Sequence, residues 1–434
     1  MAEALPVFDR LDDYVFHYAA TRPSAEALLF EDRRIAYAAF ADTVRLWARA
    51  LVARGVRHGD RVAMLCTTRP EHLFCLLAAA HIGAIWVGLN PRFTRGEMQR
   101  VLVDARPKIL FALPCFEDRD FREDITNLAA EVGGIETVVS LGEAFGRAQT
   151  CDDFIDRGVA AVPEAALIER HAAVTGEDTP LLVYTSGSSG VPKGVLLRNQ
   201  ALVTRSLTQN RHWPVLPPRT VNYLPINHIG GVHWISAFVL VGGGCERLVE
   251  RFKPADLIEL VERDRLNILL QPPTAYQMLS EHERFSSGKL ASLQWVVWSG
   301  GAMPADTVKR FQRQDLRLGC SYGQTETTGS VVYSDDSASH DALTTAIGRP
   351  DPPGSVRICD EAGTLCPADT IGEIQVVPKF VMAGYLNKPI ETADAFTPDR
   401  WLKTGDLGAW NSDGTIRFVG RASDGFKSGG YNIY

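Results

Sequence analysis

Leu181-Leu182-Val183-Tyr184-Thr185-Ser186-Gly187-Ser188-Ser189-Gly190-Val191-Pro192-Lys193-Gly194 is the stretch on which the reading of this chain turns. An apolar, strand-like run stops in residues that are almost all small, hydroxylic or glycine, with one lysine. Glycines let successive backbone N–H groups turn towards an anion, the hydroxyls add donors, and Lys193 supplies a point charge. The loop is therefore a candidate phosphate cradle. It is not the GxxxxGK[ST] nucleotide loop, because Pro192 stands where that pattern requires glycine. A ligand-free surface loop could have the same composition, so the decision rests on the segments around it.

Outward from this loop, helix-like and strand-like segments alternate. Pro254 opens the helical PADLIELVERD, in which Leu257, Ile258 and Val261 share one face. The strand candidate NILLQ follows, stopped by Pro272-Pro273, and then a helical TAYQMLSEHER with Thr274 as the expected cap. Strand-like QWVVW runs into Ser299-Gly300-Gly301, and Pro304 begins the next helix. This alternation predicts an α/β fold with mainly parallel sheets and functional loops at the carboxyl ends of the strands. Beyond about residue 345, short strands joined by Gly/Asp turns predict a small β-rich module.

The 434 residues are 45% hydrophobic, enough for more than one core. A net charge of -7, from 45 basic and 52 acidic residues, holds no basic stripe for nucleic acid. Eight scattered cysteines without a CxxC pair read as reduced thiols, and the N-terminal sequence has no secretory pattern, so the expected location is cytoplasmic. The apolar stretches Leu73–Leu89 and Trp234–Cys245 are interrupted or too short for the ~20 residues of a membrane span.

The segment Thr185 to Gly194 resembles the phosphate loop of the adenylate-forming superfamily: acyl- and aryl-CoA synthetases, luciferases and peptide-synthetase adenylation domains. Pro225-Ile226-Asn227-His228, Ser299-Gly300-Gly301-Ala302, Tyr322-Gly323-Gln324-Thr325-Glu326, Thr404-Gly405-Asp406-Leu407-Gly408 and Gly420-Arg421 match it in the expected order. Gly59 to Ala63 (GDRVA) and Gly88 to Pro91 (GLNP) are weaker matches. The resemblance covers essentially the whole chain and is closest in character to acyl- or aryl-CoA ligases. It implies the large domain of that family, residues 1–421, with two stacked, mainly parallel α/β subdomains (1–171 and 172–344) and a β-barrel-like one (345–421). Residues 422–434 would be the hinge and the first residues of a mobile lid.

The roles implied by resemblance are as follows. Glu326 is a magnesium ligand, which suits a carboxylate beside a triphosphate. Thr325 contacts phosphate, Tyr322 packs on adenine, and Asp406 and Arg421 hold the ribose. Thr185, Ser186, Gly187, Ser188, Ser189, Gly190, Lys193, Gly301, Ala302 and Gly323 complete the ATP site. His228, Trp234, Ser299, Gly300 and Gly323 line the acyl pocket; Lys193, His228, Thr325 and Glu326 are the catalytic candidates. Without the resemblance, TGDLG would read as a turn before Trp410. The run NHIGGVHWISAF contains no acid to pair with a substrate ammonium, which favours a plain carboxylic acid, aromatic, cyclic or medium-sized, over an α-amino acid. Gly230, Gly231 and His233 suit a packed helix start as well as a pocket.

The expected reaction is attack of a carboxylate on ATP-Mg²⁺, giving an acyl-adenylate and pyrophosphate, followed by transfer to coenzyme A. An amine acceptor or a carrier-protein thiol would use nearly the same large domain. The chain would act as a monomer or homodimer. In the family a lid lysine promotes adenylation; the sequence stops just inside that lid, so this chain is expected to bind ATP but to turn over poorly by itself. The pivot residue falls at Ser423 or the adjacent Asp424.

Overall fold

The computed structural model describes residues 4–185, 192–286, 288–312, 315–424, 426–428 and 431–433. The chain forms two compact units, each assembled from separated stretches. The first holds residues 1–203, 222–250 and 382–389; the second holds 204–221, 251–381 and 390–434.

The first unit is built on an eight-stranded sheet. Its parallel part runs, in spatial order, through Leu181–Thr185, Ile85–Leu89, Arg61–Leu65, Ile109–Ala112, Thr137–Ser140 and Gln149–Thr150. Lys193–Leu197 and Gly384–Tyr385 extend the other edge antiparallel. Val62–Leu65, Trp86–Leu89 and Ile109–Ala112 are buried throughout, as parallel strands covered on both faces require. The helices Pro70–His81 and Arg95–Ala105 are crossovers between these strands; the second begins at a capping box in which Thr94 and Glu97 satisfy each other's backbone N–H. At Gly88 a side chain would stand 2.8 Å from the Ile226 carbonyl and 3.0 Å from Asn227 Cα. That close approach brings GLNP against PINH and explains the glycine.

In the second unit Ile268–Gln271, Trp295–Ser299 and Arg317–Gln324 are parallel, and Gly329–Tyr333 and Arg349–Pro350 continue the sheet antiparallel. A separate antiparallel sheet orders Val356–Cys359, Gly372–Val376, Leu402–Trp410 and Ile416–Arg421. The helices Pro254–Arg263, Pro273–Glu281 and Ala305–Phe311 follow the sequence pattern, and Leu257, Ile258 and Val261 are buried. Thr274 is not the cap: Pro272 holds that position and Pro273 the first turn, because proline's fixed φ is already helical and needs no N–H partner. The strand Arg317–Gln324 carries Tyr322 and Gly323 at its end.

All eight cysteines are free. No described helix is long and apolar enough to cross a membrane.

Candidate active site

In the first unit the phosphate-loop candidate is bracketed by two antiparallel strands. Thr185 ends one and pairs with Lys193, which begins the other. Lys193 Nζ lies 5.0 Å from the centre of the Tyr385 ring. Ser186, Gly187, Ser188, Ser189 and Gly190 lie outside the described residues.

His228 follows the Asn227 backbone that approaches Gly88. Its Nδ1 accepts a hydrogen bond from the Gly230 N–H at 3.0 Å, which in a neutral ring leaves the proton on Nε2. The residue is exposed, yet protein atoms crowded around the ring desolvate it and lower its pKa. Next comes a π-helical turn, Gly230–Ile235, leading into the helix Ser236–Val241. Such turns are frequent at functional sites. Gly231 permits it, because a Cβ there would press within 2.7 Å of the Pro225 carbonyl.

His233 is a core histidine. It is fully buried, with Nε2 2.9 Å from the Leu202 carbonyl. Trp234 is also buried.

The acid-free run acquires an acid in three dimensions. Glu246 Oε1 accepts from Asn222 Nδ2 at 2.7 Å and lies 2.7 Å from Ser236 Oγ, whose single proton is shared between it and the Gly231 carbonyl at 3.0 Å; Asn222 Nδ2 also donates to that carbonyl at 3.0 Å. Burial raises the Glu246 carboxyl to about 7 against the pull of these two bonds. This group ties the π-helical turn from behind, and is committed to its own partners. Nothing local in the sequence marks it, since Glu246 sits ten residues from Ser236 on a different element.

The second unit carries the remaining candidates. The Tyr322 hydroxyl donates to Asp406 Oδ2 at 2.7 Å, and Arg421 Nε is 3.4 Å from Asp406 Oδ1. Asp406 and Arg421 are direct partners across two antiparallel strands. Burial, with the Asp406 charge, holds the Tyr322 phenol well above its ordinary pKa, so it stays a donor. TGDLG is not a turn: it lies inside the strand Leu402–Trp410, where Gly405 takes φ +70° and the ladder slips at Leu407/Gly408. Gly405 N–H donates to Glu373 Oε1 at 3.1 Å, and Gln324 Nε2 reaches the Thr404 carbonyl at 3.2 Å, joining YGQTE to TGDLG. Phe418 packs on Tyr322 with ring centres 5.9 Å apart.

Thr325 is buried and Glu326 half-buried, directly after the strand Arg317–Gln324. Gly323 has a structural reason for its size: a Cβ would stand 2.0 Å from the Gly329 carbonyl of the next strand. Ser299 Oγ donates to the Ser321 carbonyl at 2.8 Å. Gly300 takes φ +83° with open space around it, so conformation demands the glycine there. Gly301 and Ala302 are exposed. Ser423 is exposed in a short 3₁₀ turn, Ala422–Asp424, which also contains Asp424.

Residues 15–386 match the family model described as AMP-binding enzyme. Indoleacetate–CoA ligase of Aromatoleum aromaticum is 29% identical over 98% of this chain and 81% of its own. The Mycobacterium tuberculosis 3-[(3aS,4S,7aS)-7a-methyl-1,5-dioxo-octahydro-1H-inden-4-yl]propanoyl:CoA ligase is 32% identical over 95% of this chain and 79% of its own. ATP-bound MatB from Rhodopseudomonas palustris superposes with a TM-score of 0.82 at 27% identity, covering 99% of this chain and 82% of that one. The chain belongs to the AMP-binding enzyme family and is an ATP-dependent ligase of the acyl-CoA synthetase type, activating a carboxylic acid as its acyl-adenylate.

Proposed function

We propose that this ligase activates an aromatic or cyclic carboxylic acid and passes the acyl group to coenzyme A, with Tyr322, Asp406 and Arg421 holding adenosine. The observation that carries the nucleotide assignment is the Tyr322–Asp406–Arg421 group. A carboxylate fixed by a phenol and facing a guanidinium, on a strand opened by Gly405, suits the vicinal hydroxyls of a ribose. The substrate class is supported by the names of the two ligases, which act on an indole acid and a bicyclic propanoic acid. It is supported too by the run from Asn227 to Phe238, where the acid supplied by the fold, Glu246, is buried and already bonded.

The donor types at Thr325 and Glu326, a hydroxyl and a carboxylate, fit a hard cation. Glu326 would hold magnesium, which supplies charge neutralisation between the phosphates and the incoming carboxylate. A carboxylate is already ionised at neutral pH, so its oxygen attacks the α-phosphorus without a general base. An O–P bond forms, the bond to pyrophosphate breaks, and the task of the protein is alignment and screening. Lys193 contributes positive charge at the phosphates, and a neutral His228 offers its Nε2 proton as a donor to the acid. In the second half-reaction a thiol attacks the acyl carbon and AMP departs.

Pyrophosphate exchange across a panel of acids tests the substrate class before the acceptor matters. Aromatic and cyclic acids should exceed free α-amino acids by roughly tenfold or more. Stronger exchange with an amino acid would reverse the reading. Product analysis with coenzyme A and with amines then tests the acceptor; an amide in place of a thioester would overturn the thiol assignment.

A further inference from the structure

Three residues far apart in sequence meet in the first unit, none of them part of the motifs that carry the adenylation chemistry. Asp12 stands at the N-cap of the helix Asp13–Thr21, His81 ends the helix Pro70–His81, and His171 lies in the last turn of Glu164–Ala172. An aspartate at an N-cap ordinarily accepts a backbone N–H of its own helix. Asp12 makes no such bond. Its side chain is fully buried and turned to the histidines: Oδ2 is 2.8 Å from His81 Nδ1 and 3.5 Å from His171 Nδ1. Asp12 Oδ1 and His171 Nδ1 are buried without a hydrogen-bond partner among the described residues. Leaving two such atoms unsatisfied is costly unless something else binds them.

We propose that Asp12, His81 and His171 form a structural site for one divalent transition-metal ion of the zinc class, clamping three helix ends together. One ligand atom from each lies within 4.8 Å of the others. The 2.8 and 3.5 Å separations bracket the roughly 3.3 Å between donors of a tetrahedral site with ~2.0 Å bonds. The two imidazoles stack with centres 4.0 Å apart and planes at 18°, each with its Nδ1 beside the Asp12 carboxylate; rings so nearly parallel must splay for both in-plane lone pairs to reach one ion. The other nitrogen of His171, Nε2, is 3.2 Å from Asp13 Oδ1, and Asp13 is held by Arg10 at 2.9 Å. That is the carboxylate–histidine arrangement by which proteins orient a metal-binding ring. Both histidines sit at helix C-termini, whose carbonyl ends favour a cation. Phe16 covers His81 at 4.9 Å, while the His171 side chain, 22% exposed, leaves a path for the ion and a water. Two nitrogens and one oxygen suit zinc and disfavour magnesium. Binding displaces any proton shared between Asp12 and the rings to solvent.

The test is zinc titration of the full chain, stripped with a chelator, against a competing fluorescent chelator. One equivalent per chain is expected, retained in excess magnesium, with a rise in thermal midpoint. His81→Gln and His171→Gln should lose that equivalent. Asp13→Asn, which touches no ligand atom, should weaken it by about 10- to 100-fold. If the histidine variants do not fold, cobalt substitution of the unaltered chain decides the matter. Weak visible bands without an intense thiolate band are expected from nitrogen and oxygen ligands. A thiolate band would put the metal on a cysteine and overturn the assignment, as would the absence of any bound equivalent or full affinity in the histidine variants.

Discussion

Glu326 is a half-buried acid beside a buried threonine, Thr325, after a strand that also carries Tyr322. Its proposed task depends on charge, so the informative change is one that preserves size and polarity. Glu326→Gln should leave the fold intact while slowing pyrophosphate exchange by roughly 10²-fold or more, the scale of a lost electrostatic contact in the transition state. Its magnesium dependence should weaken in parallel. Wild-type rate and metal dependence in the variant would remove Glu326 from the site. Tyr322 works differently: its phenol is a donor fixed on Asp406, so this residue orients a neighbouring carboxylate as well as offering a ring face.

At the scale of elements, the π-helical turn Gly230–Ile235 is held by Glu246 through Asn222 and Ser236. The Glu246 side chain lines a cavity of about 20 Å³ walled largely by apolar residues, including Leu28, Phe40 and Leu76. Its carboxyl is raised from 4.5 to about 7 by burial. Between those values the folded chain binds more protons than the unfolded one, so stability falls as pH rises and the loss is complete above about 7. A shift of this size corresponds to about 3 kcal/mol. Glutamine can still accept from Asn222 and Ser236 but cannot ionise. Glu246→Gln should therefore raise the thermal midpoint little at pH near 5 and most above 7. An advantage that does not grow with pH would show that Glu246 ionises freely in the folded chain.

Across the first unit as a whole, a second buried group acts in the opposite sense. His72 is fully buried; its Nδ1 lies 2.6 Å from the Arg69 carbonyl, and its pKa is lowered by burial from 6.5 to about 4. The unfolded chain binds the extra proton in that window, so this contribution to stability is present above about 6.5 and lost as pH falls towards 4. Its full size is again about 3 kcal/mol. His72 and Glu246 thus oppose each other over nearly the same range, which flattens the wild-type profile. Urea midpoints taken from pH 4 to 7 should show His72→Leu losing the acid-side fall and retaining the decline caused by Glu246. The variant's overall offset is irrelevant, because the slope is the readout. Identical slopes for variant and wild type would mean that the imidazole is not held neutral.

Local strings were enough for much of this protein. The apolar runs before Thr185 and Ser299, the proline-opened helix at Pro254, and the family motifs up to Gly420-Arg421 are legible because strand burial, helix initiation and close backbone approach depend on neighbouring residues. Thr274 misleads for the same reason: a good capping side chain carries no record that two prolines already hold the helix start. What only the tertiary structure decided depends on pairs that the chain keeps far apart. Strand register sets Asp406 opposite Arg421, and the approach of a different sheet brings the Tyr322 hydroxyl to it across 84 residues. Packing puts Glu246 behind an acid-free run and makes His233 a core residue. Asp12, His81 and His171 read separately as a cap and two helix-end histidines; only the burial of all three at one point turns them into a ligand set, because coordination depends on distance in space and not along the chain.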